Sequence, residues 1–321
     1  MPESTGSYPR QGEVRASIGL ILANKYRGGA FTFDTESQTI KTIISYWEDQ
    51  LKLGGGISTD VKPDDYQGIC MVGMKTISGA AARLDKAVLD MAPLLKDVLG
   101  SENPNGDILA RSMGILVQDT DLLTTENHAV VRRFYKQWIY THLAKPLYPL
   151  ALPTAGDRSS TESRYRSAIL SIVSNCVYGV YEADLEPLIR LLVITLGDRS
   201  SLAAKAGRQQ LVSALEVLVE ILANEPDTLK SHLKAIIGGV MAVYEGCLPD
   251  RQEAKKDASL TAARKLVLQT LGAIPKKFEE RHLLPYSLRL QRMLALTCGD
   301  PVREVRQVAR LARVNWAKVV V

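Results

Sequence analysis

Aromatic residues are scarce in this chain. Four Phe, three Trp and twelve Tyr make up 6% of its 321 residues. Set against abundant Ala, Leu and Val, that shortage favours helix over sheet. Cysteine is sparse as well. Cys70, Cys176, Cys247 and Cys298 lie far apart and form no C-x-x-C pair. Clustered thiolates are what cluster ligation uses, so the four read as small buried hydrophobes in a reducing compartment. No apolar run is long enough to cross a bilayer. The stretch from Met1 to Arg15 lacks the apolar core of a signal peptide. Cytosol and nucleus are the expected compartments.

Catalytic signatures are missing too. There is no G-x-x-x-x-G-K-[ST], no G-x-S-x-G and no H-E-x-x-H. The run Gly54 to Gly56 has neither a preceding strand nor a Lys-Ser/Thr pair, and reads as a linker. His128 lies near Asp121 and Glu126, but no second His sits at helical spacing, since His142 is fourteen residues on. A helix-start histidine satisfied by its own surroundings is the simpler reading. No catalytic, cofactor-binding or metal-binding residue is assigned, and the chain is not expected to be an enzyme.

What is present is helical periodicity of three to four residues, almost throughout. The predicted helices are Val14 to Asn24, Thr35 to Leu53, Pro63 to Arg83, Lys86 to Leu99 and Asp107 to Val117. Next comes a long helix from an Asn127 cap to Ala144, interrupted by Pro146 and Pro149. Beyond a polar loop follow Arg164 to Val177, Leu185 to Leu196, Leu202 to Ala223, Leu229 to Tyr244 and Asp257 to Ile274. The last two are His282 to Thr297, opened around Leu284-Pro285-Tyr286, and Pro301 to Trp316.

The closing forty residues carry the strongest signal: a helix, a Gly299-Asp300-Pro301 break, then a Val-Arg-x-x-Ala helix. That is the pattern of a HEAT repeat. Inner helices begin near 201, 257 and 301, a spacing compatible with such units. The expected fold is an all-α HEAT-type α-solenoid of about six antiparallel helix pairs plus an unpaired first helix. A solenoid normally starts with a polar cap, whereas Val14 to Ala23 is apolar. The chain therefore reads as residues 13–321 of a repeat domain cut from a longer protein, with residues 1–12 as a tail and the natural end at the C-terminus.

Charge is unevenly placed. Residues 251–321 hold fifteen Lys or Arg against six Asp or Glu, a net of +9. The rest hold twenty-five against twenty-nine, a net of −4. On the last helix, Val305, Ala309, Ala312 and Trp316 form one stripe. Arg303, Arg306, Arg310 and Arg313 form another, roughly 100° away around the axis. Arg289 and Arg292 on the preceding helix extend the basic set. Three readings stand: a solvated end cap, a docking face for an acidic partner, or a nucleic-acid surface. Arginine forks suit carboxylates. Nucleic acid is disfavoured by the lack of interleaved aromatics and of any groove-reading motif.

Two segments resemble the MMS-nineteen family, the HEAT-repeat scaffold of the cytosolic iron–sulfur targeting complex. One is Leu284-Pro285-Tyr286 with Asp300-Pro301, Val305-Arg306, Ala309, Ala312-Arg313 and Trp316. The other is Leu122-Leu123-Thr124 with Asn127-His128-Ala129, Arg132, Tyr135, Lys136 and Gln137. Asn24-Lys25 fits the same pattern. The chain departs from it where Val302 follows the Asp-Pro directly and where the loop from Gly246 to Lys256 is expanded. The resemblance implies the C-terminal domain of a non-catalytic scaffold with no cofactor of its own. Such a scaffold joins a WD40-propeller subunit and a small adaptor subunit, and presents apo iron–sulfur client proteins of DNA replication and repair. It implies structural roles for Asn127, His128, Arg132, Tyr135, Lys136, Gln137 and Trp316. The alternative is a generic HEAT scaffold of transport or chromosome organisation with a basic docking face.

Overall fold

The computed structural model describes residues 63–82, 87–101, 104–118, 135–152, 160–199, 205–248 and 258–319. The expected helices Val14 to Asn24 and Thr35 to Leu53, the glycine run Gly54 to Gly56, and Asn127, His128 and Arg132 lie outside these residues. Every element among the described residues is helical. The chain divides into two compact units, one ending at Tyr181 and one beginning at Glu182.

The first unit contains α1 (Pro63–Ala82), α2 (Ala87–Gly100), α3 (Gly106–Ser112), α4 (Tyr148–Ala151) and α5 (Ser160–Val173). Helix α5 lies at its centre, packed by α2, α3 and α4, with Ile169, Leu170 and Ile172 fully buried. Close approach is possible because Gly114 has no side chain. A Cβ there would fall 2.5 Å from Ser171 Oγ. That hydroxyl instead accepts the Gly114 N–H at 2.8 Å and donates to the Arg111 carbonyl at 2.6 Å. Arg166, 1% exposed, reaches back from α5 to donate to the Ala151 carbonyl at 3.2 Å.

Pro146 and Pro149 do not break the chain here, contrary to expectation. Residues 135–139 are α-helical and pass into a π-helical turn, Tyr140–Ala144. A 3₁₀ turn, Lys145–Leu147, and then α4 follow without a gap. Each proline falls in the first two positions of its own short element, where its missing N–H has no intrahelical bond to lose.

The second unit contains α6 (Leu185–Gly197), α7 (Lys205–Asn224), α8 (Leu233–Gly246), α9 (Ala258–Ala273), α10 (Glu280–Thr297) and α11 (Arg303–Trp316). Helices α6 and α7, α8 and α9, and α10 and α11 pair as hairpins. Helices α7, α9 and α11 pack in sequence as an inner layer, and α6 packs on α8 in an outer layer. This is the HEAT-type α-solenoid architecture. The inner helices start at 205, 258 and 303, close to the expected 201, 257 and 301. One expectation fails. Pro285 does not open α10 but lies inside it. It sits on the exposed side of the helix, where a lost intrahelical bond costs less than in the core.

Candidate functional site

The terminal hairpin α10–α11 is held by its apolar stripe. Val305, Ala309, Ala312 and Trp316 are the buried residues of α11. Trp316 is fully buried, and its Nε1 donates to the Leu271 carbonyl at 2.7 Å. Asn315 Nδ2 donates to the Gly272 carbonyl at 2.8 Å. At that crossing a Cβ on Gly272 would lie 3.2 Å from both Cα and Cβ of Ala312, so α9 and α11 meet near the limit of approach. The far end is closed by Ser287 Oγ and Gln291 Nε2, which donate to the Val319 and Trp316 carbonyls at 3.1 Å each.

The Asp-Pro turn is an electrostatic joint. Asp300 Oδ1 accepts the Val302 N–H at 2.8 Å, opening α11. Its Oδ2 stands 3.1 Å from Arg264 Nε, with both side chains all but fully buried. Arg264 Nη1 also donates to the Cys247 carbonyl at 3.2 Å. One arginine of α9 thus ties the end of α8 to the start of α11. Sequence reading missed Arg264. Its only signal is a cation among the apolar positions of α9, in register with Ala263 and Val267.

These contacts leave the six singled-out arginines in different states. Arg303, Arg310 and Arg313 are exposed on α11. Among the described residues their side chains have no hydrogen-bond or ion-pair partner, and the same holds for exposed Arg292 on α10. Arg306 is different. It is half-buried, and its Nη1 donates to the Asp300 and Pro301 carbonyls at 2.7 and 3.1 Å. It braces the turn. Arg289 extends from α10 to Glu245 of α8, at 3.3 Å, and so belongs to the outer layer rather than beside α11. Glu304, the carboxylate nearest the α11 arginines in sequence, is taken by Lys265 at 2.6 Å. That hydrogen bond and the lysine charge hold its carboxyl below the ordinary range.

The described residues of the Asn127–Gln137 motif sit in the first unit. Tyr135 is fully buried. Lys136, 5% exposed, donates from Nζ to the Asn175 carbonyl at 2.8 Å. Gln137 is half-buried, and its carbonyl accepts the Thr141 hydroxyl at 2.8 Å. His142 packs edge-on against Trp138, ring centroids 5.6 Å apart. No disulfide joins any of the four cysteines. Cys70 and Cys247 are buried as expected, but Cys176 and Cys298 are only half-buried. Among the described residues no group of three His, Cys, Asp or Glu is placed to hold a metal ion. No helix among them is long and apolar enough to cross a membrane.

Residues 35–275 match the sequence model of a family described as RNAPII transcription regulator C-terminal. The fission yeast Schizosaccharomyces pombe has a relative named DNA repair/transcription protein mms19. It is 24% identical over 229 residues, covering 71% of this chain and 20% of that protein. A Dictyostelium discoideum relative, named MMS19 nucleotide excision repair protein homolog, is 20% identical over 234 residues. It covers 71% of this chain and 19% of its own length. The chain thus spans about a fifth of the curated relatives it matches. Among solved structures, an engineered protein superposes with a TM-score of 0.48 at 16% identity, covering 85% of this chain and 97% of its own. A designed armadillo repeat protein gives 0.47 at 12%, covering 84% and 99%.

Proposed function

The chain belongs to the MMS19 C-terminal family, and from that membership we propose that it is a non-catalytic scaffold in cytosolic iron–sulfur protein assembly. Its relatives are named for DNA repair and transcription. A scaffold that delivers clusters to polymerases, primase, helicases and glycosylases accounts for such names without any catalysis of its own. In this reading the repeats dock the WD40-propeller and small adaptor subunits of the targeting complex and help present apo-proteins. Cytoplasm and nucleus are the compartments it implies.

The observation that carries the reading is the state of the α11 arginines. The hairpin is fixed by contacts that consume Asp300, Arg264 and Arg306, while Arg303, Arg310 and Arg313 are spent on none of them. A rigid helix with unpaired guanidinium groups is suited to a carboxylate-rich partner. The test is co-purification of the folded chain with the propeller and adaptor subunits from cell extract, read by mass spectrometry. Recovery of both supports the reading. Recovery of transport receptors or chromatin complexes without them assigns the chain to another HEAT pathway.

A further inference from the structure

The outer layer of the second unit is not evenly packed. Helices α6 and α8 press together at Gly239, where a Cβ would lie 2.9 Å from Leu196 Cβ and 3.2 Å from its backbone carbonyl. Between α8 and α10 the layer opens instead into a groove of about 440 Å³. Its floor is Met241, Tyr244 and Met293, and its rim carries Leu248 and Leu296. Leu296 is 83% exposed and Leu248 55%. Asp300 also lines the groove, but Arg264 and the Val302 N–H occupy its carboxylate. Among the described residues the groove's other charges are Glu245 and Arg289, which pair across it while 52% and 71% exposed.

Along α10 the exposed residues Leu288, Arg292 and Leu296 follow at i, i+4 and i+8 on one face, spanning roughly 12 Å. Apolar anchors two turns apart with an unpaired cation between them form a matched template. A small-molecule pocket buries most of its ligand in a concave apolar site. Here the rim leucines Leu248 and Leu296 stand out into solvent, which suits a segment lying along the rim. Methionines in the floor let such a surface repack around different side chains. Exposed aliphatics gathered on one hairpin are the usual mark of an interaction face.

We propose that the α8–α10 groove and the adjoining Leu288-Arg292-Leu296 face dock an acidic amphipathic helix of a partner protein. The partner helix places two apolar residues about two turns apart over Leu288 and Leu296, with a carboxylate between them on Arg292. This rests on the scaffold reading above and names the chemistry of one of its contacts. Arg289 is the second anchor, because its pairing with Glu245 is exposed and therefore weak.

The probe is a pair of labelled synthetic helices with identical leucines, one bearing Glu and the other Lys at the intervening positions. Their binding to the full chain is read by fluorescence anisotropy at low and physiological salt. The Glu peptide is expected to bind at least tenfold tighter than the Lys peptide. Leu296→Asp should weaken it tenfold or more, and Arg292→Glu should reverse the preference. Leu311→Asp, on α11, should leave it unchanged. Circular dichroism confirms that these exposed substitutions leave the chain folded. Equal binding of both peptides, no binding of either, or indifference to Leu296→Asp overturns the proposal. So does concentration-dependent dimerisation that Leu296→Asp abolishes, which assigns the face to a second copy of the chain. The scaffold reading fails separately, on loss of the targeting subunits from the co-purification, whatever the peptides do.

Discussion

The indole of Trp316 is fully buried against α9 and donates to the Leu271 carbonyl, so removing it creates a cavity and orphans a backbone acceptor. Trp316→Ala should lower stability by about 3 kcal/mol, measured by urea unfolding at unchanged denaturant slope. Cys70 makes a prediction of a different kind. Burial pushes its thiol from the ordinary 9.0 up to about 12, against weaker opposing hydrogen bonds from Tyr66 and Ser112. Below pH 9 the thiol is neutral in folded and unfolded chain alike and contributes nothing. Between 9 and 12 the unfolded chain releases the proton while the folded one keeps it. Stability should therefore fall as pH rises through that window, by about 1.4 kcal/mol per pH unit at most. Cys70→Ser should flatten the slope in pH-dependent unfolding. Native alkylation at pH 8 should spare Cys70 and Cys247, and modify half-buried Cys176 and Cys298 first.

At the scale of elements, adjacent glycines on α8 separate propensity from packing. A Cβ on Gly238 meets nothing within 4 Å, whereas one on Gly239 meets Leu196 at 2.9 Å. Gly238→Ala should stabilise the chain by roughly 0.5–1 kcal/mol through helix propensity and loss of unfolded-state freedom. Gly239→Ala should reverse the sign, because the forced separation of α6 and α8 costs about 1–3 kcal/mol. Opposite shifts in thermal midpoint are the readout, and a matching gain in both would show that the two helices part freely. The two glycines look alike in sequence, and that marks the limit of reading one. The inner stripe of α11 was legible because Val305, Ala309, Ala312 and Trp316 repeat at local helical spacing, which needs no knowledge of neighbours. The joint at Asp300 was half legible, as a turn without its buried arginine, since Arg264 lies 36 residues away along the chain. The π-turn before Pro146 and the helical setting of Pro285 were hidden, because whether a proline breaks a helix depends on where a short element begins and on which side faces solvent, and neither is written in the local pattern. The groove beside α10 left no trace at all, being set by the distance between two helices rather than by a pattern within either.

For the molecule as a whole, the uneven charge decides which surface acts at a distance. The last 71 residues carry +9 and the rest −4, so an acidic partner is steered toward the terminal hairpin before any contact forms. The free arginines of α11 are the part of that field with no structural duty, whereas Arg306 has one. Changing Arg303, Arg310 and Arg313 together to Glu alters the net charge by six units (three charges each moved by two) without breaking a described side-chain contact. The triple variant should keep its far-ultraviolet spectrum and its unfolding midpoint, yet lose the propeller and adaptor subunits in the pull-down. Arg306→Glu should behave differently. It removes charged donors from the Asp300 and Pro301 carbonyls and places a carboxylate against them, so stability should fall by about 1–3 kcal/mol. Rising salt distinguishes the remaining possibility. If the same arginines gripped nucleic acid, affinity of the unaltered chain for a DNA duplex would fall steeply with log salt, and the triple variant would reduce that slope by about three contacts. A triple variant that still recovers both subunits at unchanged yield returns α11 to the part of a solvated end cap.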